Sequence, residues 1–121
     1  MASDRRASGI LTALLLVLGL WGAPAFAQFS SGIEGIVHDT TGAVIAGAKV
    51  TVTDTRLGVS KSVLTGQNGY FRVDSIAAST YNVEIQMASF QTWKQPGLTL
   101  QIAEIRTLSP ELKVGDVSTN V

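Results

Sequence analysis

From residue 31 onward, apolar and polar residues alternate in short runs separated by glycine and polar turns, which is the pattern of half-buried β-strands. Ile33, Gly35 and Val37 alternate with Glu34, Ile36 and His38 to give a first strand, and Asp39-Thr40-Thr41-Gly42 closes it with a turn. Ala43 to Ala46 is a short apolar connection broken by Gly47; then Ala48, Val50 and Val52 face one way while Lys49, Thr51 and Thr53 face the other. Asp54 to Gly58 turns the chain, and the more polar run Val59 to Thr65 belongs at a sheet edge, where Lys61 discourages pairing with another chain. Phe71 and Val73 alternate with Tyr70, Arg72 and Asp74 in a strand ending near Ile76, and Tyr81, Val83 and Ile85 alternate with Asn82, Glu84 and Gln86 in the cleanest period-2 segment of the chain. Phe90 to Lys94 is short and aromatic-rich, and Pro96-Gly97 reads as a turn. Leu98, Leu100 and Ile102 alternate with polar residues again. Pro110 interrupts the last segment, Ile105 to Val114, which implies an edge or a bulge.

About seven short strands at this spacing predict an all-β, Ig-like sandwich of two sheets. Its expected core is Ile33, Val37, Val50, Val52, Phe71, Val73, Ile76, Tyr81, Val83, Ile85, Phe90, Leu98 and Leu100. No stretch of this part sustains a helical period. The first 27 residues read differently: Arg5 and Arg6, an apolar run from Ile10 to Trp21, and Ala25-Phe26-Ala27 before Gln28 form a three-part secretory signal peptide. The apolar run is shorter than the ~20 residues a membrane-spanning helix needs, so no transmembrane segment is expected after cleavage. The expected organisation is residues 1–27 signal peptide, 28–113 β-sandwich and 114–121 tail.

Composition narrows the chemistry. The chain of 121 residues has no cysteine, so packing must stabilise it without disulfides, and no thiolate can hold a metal. Removing Arg5, Arg6 and Asp4 with the leader leaves about one net negative charge, which excludes the basic footprint of a nucleic-acid binder. With His38 as the single histidine, neither a zinc site nor a Ser-His-acid triad can be assembled from familiar parts. Ser60, Ser62 and Ser75 read as turn and strand-surface residues, and nothing in the pattern brings Glu34 and Glu84 together as an acid/base pair. No catalytic, cofactor or metal residues are expected. The candidates for ligand or partner contact are two aromatics outside the clear core phase, Tyr70 and Trp93.

The stretch Gly32-Ile33-Glu34-Gly35-Ile36-Val37-His38-Asp39, followed by Gly42-Ala43-Val44-Ile45-Ala46-Gly47-Ala48-Lys49-Val50-Thr51-Val52, resembles the carboxypeptidase regulatory-like family. Gly69-Tyr70-Phe71-Arg72-Val73, Ile76, Tyr81-Asn82-Val83, Phe90 and Gly97-Leu98-Thr99-Leu100 continue the likeness. The resemblance implies a transthyretin-like, seven-stranded sandwich that is an accessory domain and not a peptidase. Two departures stand out. The family often has Thr-Asp-x-x-Gly where this chain has Thr65-Gly66-Gln67-Asn68-Gly69, and usually Leu-Pro-x-Gly-x-Tyr where it has Ile76-Ala77-Ala78-Ser79-Thr80-Tyr81; both are expected to relax their turns.

A signal peptide followed directly by such a sandwich resembles the N-terminus of TonB-dependent outer-membrane receptors of Gram-negative bacteria. That implies export to the periplasm or outer membrane and contact with protein, either the receptor's plug and barrel or other envelope proteins. The alternative reading is a carbohydrate-binding module using Tyr70 or Trp93. The Lys49–Asn82 isopeptide bond of some related adhesins is not expected, because alternation turns both side chains outward.

Overall fold

The computed structural model describes residues 30–115, so the signal-peptide reading of residues 1–27 lies outside the described residues. The strands are β1 (Ser31–Ile36), β2 (His38–Asp39), β3 (Lys49–Asp54), β4 (Ser60–Leu64), β5 (Tyr70–Ile76), β6 (Thr80–Gln86), β7 (Trp93–Thr99), β8 (Ile105–Leu108) and β9 (Glu111–Leu112). One sheet has the order β4-β3-β6-β7, all antiparallel; the other is β5-β1-β8, continued by the small β2-β9 pair. β1 and β2 are one strand interrupted at Val37, and β8 and β9 are one strand interrupted at Ser109-Pro110, which reconciles nine segments with the seven expected strands. The C-terminal segment runs parallel to the first, with β8 beside β1 and β9 beside β2. Pro110 is buried and its carbonyl accepts the His38 N–H at 3.1 Å, so it interrupts the strand without orphaning its neighbour.

The two sheets bury their alternating faces against each other, and the core contains twelve of the thirteen residues expected there. Phe90 is the exception. It packs on the core from the rim, half-buried, and bridges to Val114. Ile45, Ala48 and Leu112 complete the apolar interior. Burying a large aliphatic or aromatic side chain contributes about 1.5 to 3 kcal/mol, so a sandwich of this size depends on nearly every one of them.

Two bulges set the strand phase. The pairs Ser31↔Ile76 and Ile33↔Val73 leave one extra residue on β5, absorbed by Ser75 in the left-handed region at φ 57°. This is why Ile76 reaches the core although it is out of step with Phe71 and Val73. The second bulge corrects an expectation: Pro96-Gly97 is not a turn but lies inside β7. The pairs Tyr81↔Leu98 and Val83↔Gln95 leave an extra residue there, Gly97 takes φ 66°, and its N–H donates to Asn82 Oδ1 at 3.1 Å. β7 is an edge strand, where a proline's missing donor costs no ladder bond. Ile102 falls beyond β7 and is exposed, whereas Leu98 and Leu100 are buried.

Gly35 lies between β5 and β8 where no side chain fits. A Cβ there would stand 2.3 Å from the Leu108 carbonyl oxygen and 3.0 Å from the Phe71 ring, which lies opposite it on β5. Gly35→Ala is therefore expected to destabilise the domain by about 2 kcal/mol, a fall in Tm of about 10 °C. Phe71→Asp is expected to leave no cooperative melting transition by circular dichroism. A wild-type Tm in Gly35→Ala would show that β8 does not pack as described.

Candidate functional site

The outward side chains of β1, β5 and β8 form one mixed face. Glu34 sits between Arg72 on β5 and Thr107 on β8 in the strand register, and Ile36 is opposite Tyr70. The Tyr70 hydroxyl donates to Glu34 Oε2 at 2.8 Å, the Arg72 guanidinium to the same oxygen at 3.3 Å, and the Thr107 hydroxyl to Oε1 at 3.4 Å. Arg72 also pairs with Asp74, and that carboxylate, followed by Tyr70, raises the pKa of its guanidinium. Tyr70, 37% exposed, lines a groove of about 250 Å³ with Glu34, Gly35, Ile36, Thr107, Leu108 and Ser109.

Trp93 lies elsewhere. It stands opposite Ile85 on β7, in the inner phase of the other sheet, half-buried against the core, and it edges a shallow cleft with Gln91, Thr92, Glu111 and Lys113. The two candidate aromatics therefore do not share a platform. Trp93 closes one end of the core, and Tyr70 lies on an outer face.

The remaining polar residues are largely engaged in the scaffold. His38 Nε2 is 3.9 Å from Glu111 Oε2 across the β2–β9 pair. Asp39 turns back on its own loop: the Thr41 hydroxyl at 2.6 Å, the Thr41 amide and the Ala43 amide bind its Oδ1 and hold its pKa below the ordinary carboxylate value. Ser60 and Ser62 form hydroxyl pairs with Thr53 and Thr51 across β3–β4. Glu84 belongs to β6, in the sheet opposite Glu34, so the two acids make no pair. Lys49 is opposite Gln86 and Asn82 is opposite Thr53, which separates the partners of any isopeptide bond. Among the described residues, no group of three or more His, Cys, Asp or Glu is placed to hold a metal, and no helix is long and apolar enough to cross a membrane.

Asp54, Thr65 and Ser79 are buried polar residues that are not in the expected core. Asp54 continues the inner phase of Val50 and Val52, a signal that the alternation already carried. Its Oδ1 accepts the Arg56 amide at 2.9 Å, the Leu57 amide at 3.3 Å and the Ser79 hydroxyl at 2.9 Å, and Arg56 Nε donates to Ser79 at 3.0 Å. Burial pushes the carboxyl up, but these donors and the guanidinium outweigh it and hold the group below its ordinary 3.8. Ser79 thus ties together the turn it was expected to relax, and the Tyr81 hydroxyl, donating to the Ala77 carbonyl at 2.6 Å, braces it as in a tyrosine corner. The Thr65–Gly69 turn is likewise held. Buried Thr65 accepts the Ala48 amide and donates to the Ile45 carbonyl, while Asn68 Oδ1 accepts the Tyr70 amide. Nothing in the pattern around Ser79 or Thr65 marks them as buried, because each meets its partner through a turn.

Beside Asp54 lies the seam where edge strand β4 faces β5. Val52, Leu57, Val59, Ile76, Ala77 and Tyr81 line an apolar cleft of about 180 Å³, with Leu57 71% and Val59 59% exposed. Lys61 stands opposite Val52, in the inner phase, and its Nζ spans the seam to the Asp74 and Ser75 carbonyls at 3.5 and 3.4 Å.

The model of the carboxypeptidase regulatory-like domain family matches residues 32–113. A chain from a type II cohesin–X-dockerin complex of Acetivibrio cellulolyticus is 27% identical, with a TM-score of 0.57 over 74% of this chain and 62% of that one, so this chain spans under two thirds of its length. Catechol 1,2-dioxygenase from Acinetobacter radioresistens is similar in fold (TM-score 0.61, 13% identity, 83% of this chain and 58% of that one). So is a candidate carbohydrate binding protein from Bacteroides uniformis (TM-score 0.56, 17% identity, 68% and 40%). No curated protein matches the sequence.

The lowered carboxyls predict an acid limit. Asp39, Asp54 and Glu104, the last held down by the Gln101 amide and Arg106, all have folded values below their ordinary ones. Their stabilisation is fully present above the unfolded-state values of 3.8 for aspartate and 4.5 for glutamate, and is lost as pH falls through the lower folded values. Thermal melts should therefore show Tm falling below about pH 4. Asp54→Asn should lower Tm at neutral pH and narrow its gap to wild type in acid; a gap unchanged at low pH would remove Asp54 from the account.

Proposed function

The chain belongs to the carboxypeptidase regulatory-like domain family, and we propose that it is a non-catalytic binding module, exported to the periplasm, that forms the N-terminal domain of a TonB-dependent outer-membrane receptor. It works through contact with protein. The β4–β5 seam carries this reading: exposed Leu57 and Val59 stand over an apolar cleft at the edge of a sheet, where a partner's side chain can be buried. β4 offers the unpaired backbone of an edge strand to an extended segment, with Leu64 exposed at its end. Lys61, tethered across the seam, limits unselective pairing there.

Two further observations support the reading. The acids and hydroxyls nearest to a catalytic arrangement are engaged in scaffold bonds, and Glu34 and Glu84 sit in different sheets. The 27% identical relative is a chain of a protein–protein assembly. The organisation that goes with this function is signal peptide 1–27, sandwich 28–113 and a linker from 114.

A photo-crosslinking residue at position 59, expressed in the native host, should capture a receptor plug, a barrel or another envelope protein, while the same residue at position 84 should not. Equal capture at both positions would contradict the seam as the contact surface. Genomic sequence beyond the codon for Val121 should encode a plug and barrel in frame; a stop codon with no receptor remnant downstream would overturn the receptor assignment.

A further inference from the structure

We propose that the outer face of β5-β1-β8 is a second binding surface, separate from the seam, that takes a neutral glycan with one sugar ring stacked on Tyr70. The side chains are preorganised for this. The hydroxyl bond to Glu34 holds Tyr70 along the groove, so little rotamer entropy remains to be lost on binding. Ile36 and Leu108 supply apolar lining, and Thr107 and Ser109 place hydroxyls at the same groove. Such a mixture of one aromatic surface, aliphatic flanks and a few convergent polar groups matches a sugar ring, with its C–H face and its rim of hydroxyls.

Charge selects the class of sugar. Glu34 is already compensated by Arg72 and receives three donors, and Arg72 is shared with Asp74. One guanidinium serves two carboxylates, so the face keeps a net negative charge that disfavours an anionic ligand. A neutral ligand meets those hydrogen-bonding groups without that repulsion, whereas a uronic acid is opposed by it. Among the described residues, Glu34 Oε1 receives the long 3.4 Å bond from Thr107, and so is the acceptor best placed for a ligand hydroxyl.

The experiment titrates the whole chain with neutral cello-, xylo-, malto- and laminari-oligosaccharides and with an oligogalacturonate, following backbone amides by NMR. Saturable shifts at Ile36, Tyr70 and Thr107 with at least one neutral sugar are expected. Tyr70→Ala should weaken binding at least about tenfold. Thr107→Lys, a change at an exposed position that crowds the groove without touching the core, should weaken it comparably and serves if Tyr70→Ala fails to fold. Trp93→Phe should bind like wild type, and so should Val59→Asp, which separates this surface from the seam. No saturable shift with any neutral sugar at millimolar concentration, binding confined to the oligogalacturonate, or binding unchanged in both Tyr70→Ala and Thr107→Lys would overturn the proposal.

Discussion

The sandwich depends on the close approach of backbone to backbone at Gly35 and Gly69. At Gly35 the Leu108 carbonyl and the Phe71 ring occupy the space a side chain would need. At Gly69, in the left-handed region at φ 75°, a Cβ would stand 2.7 Å from the Val37 carbonyl oxygen. Between them lies Val37, whose N–H donates to the Gly69 carbonyl at 2.9 Å and whose carbonyl accepts the Ile45 amide at 2.9 Å. The first strand is thereby bound to the C-terminal strand, to the turn before β5 and to the loop before β3. Segments far apart in sequence meet at one buried residue.

With that junction fixed, the two sides of the sandwich differ. On the β7–β8 side, Arg106 donates to the Thr99 carbonyl and pairs with Glu104, and Pro96 removes a donor from the β7 edge. On the β4–β5 side, the Lys61 ammonium reaches across the seam to the Asp74 and Ser75 carbonyls, and Leu57 and Val59 remain exposed. In the proposed function the β4–β5 side, with its exposed apolar cleft, is the surface for a partner. The polar face around Tyr70 is a third environment, built on β1, which is paired on both sides, and so presented rigidly.

Much of this was legible in the chain because strand alternation has a period of two and the interior is apolar: Val50 and Val52, or Tyr81, Val83 and Ile85, reveal their burial through their neighbours. What stayed hidden is what alternation cannot encode. Ser75 and Gly97 shift phase through a single backbone angle each, so Pro96-Gly97 reads as a turn in sequence and is a bulge in space. Ser79 and Thr65 are polar residues whose burial depends on partners brought by another loop. For the candidate site, alternation placed Tyr70 outward correctly but could not show that Glu34 and Thr107 converge on the same face, 36 and 73 residues from their partners across the network. Trp93 lacked a decisive pattern because β7 begins at it, and only its register with Ile85 shows it facing inward.

Native-state amide hydrogen exchange tests most directly whether the junction at Val37 holds the domain as one cooperative unit. The Val37 and Ile45 amides should exchange only by global unfolding, with the same free energy as the central β3–β6 amides and the same response to denaturant. Exchange at Val37 through a smaller opening while β3–β6 stays protected would contradict it, showing that the first strand and its partners open as a separate unit.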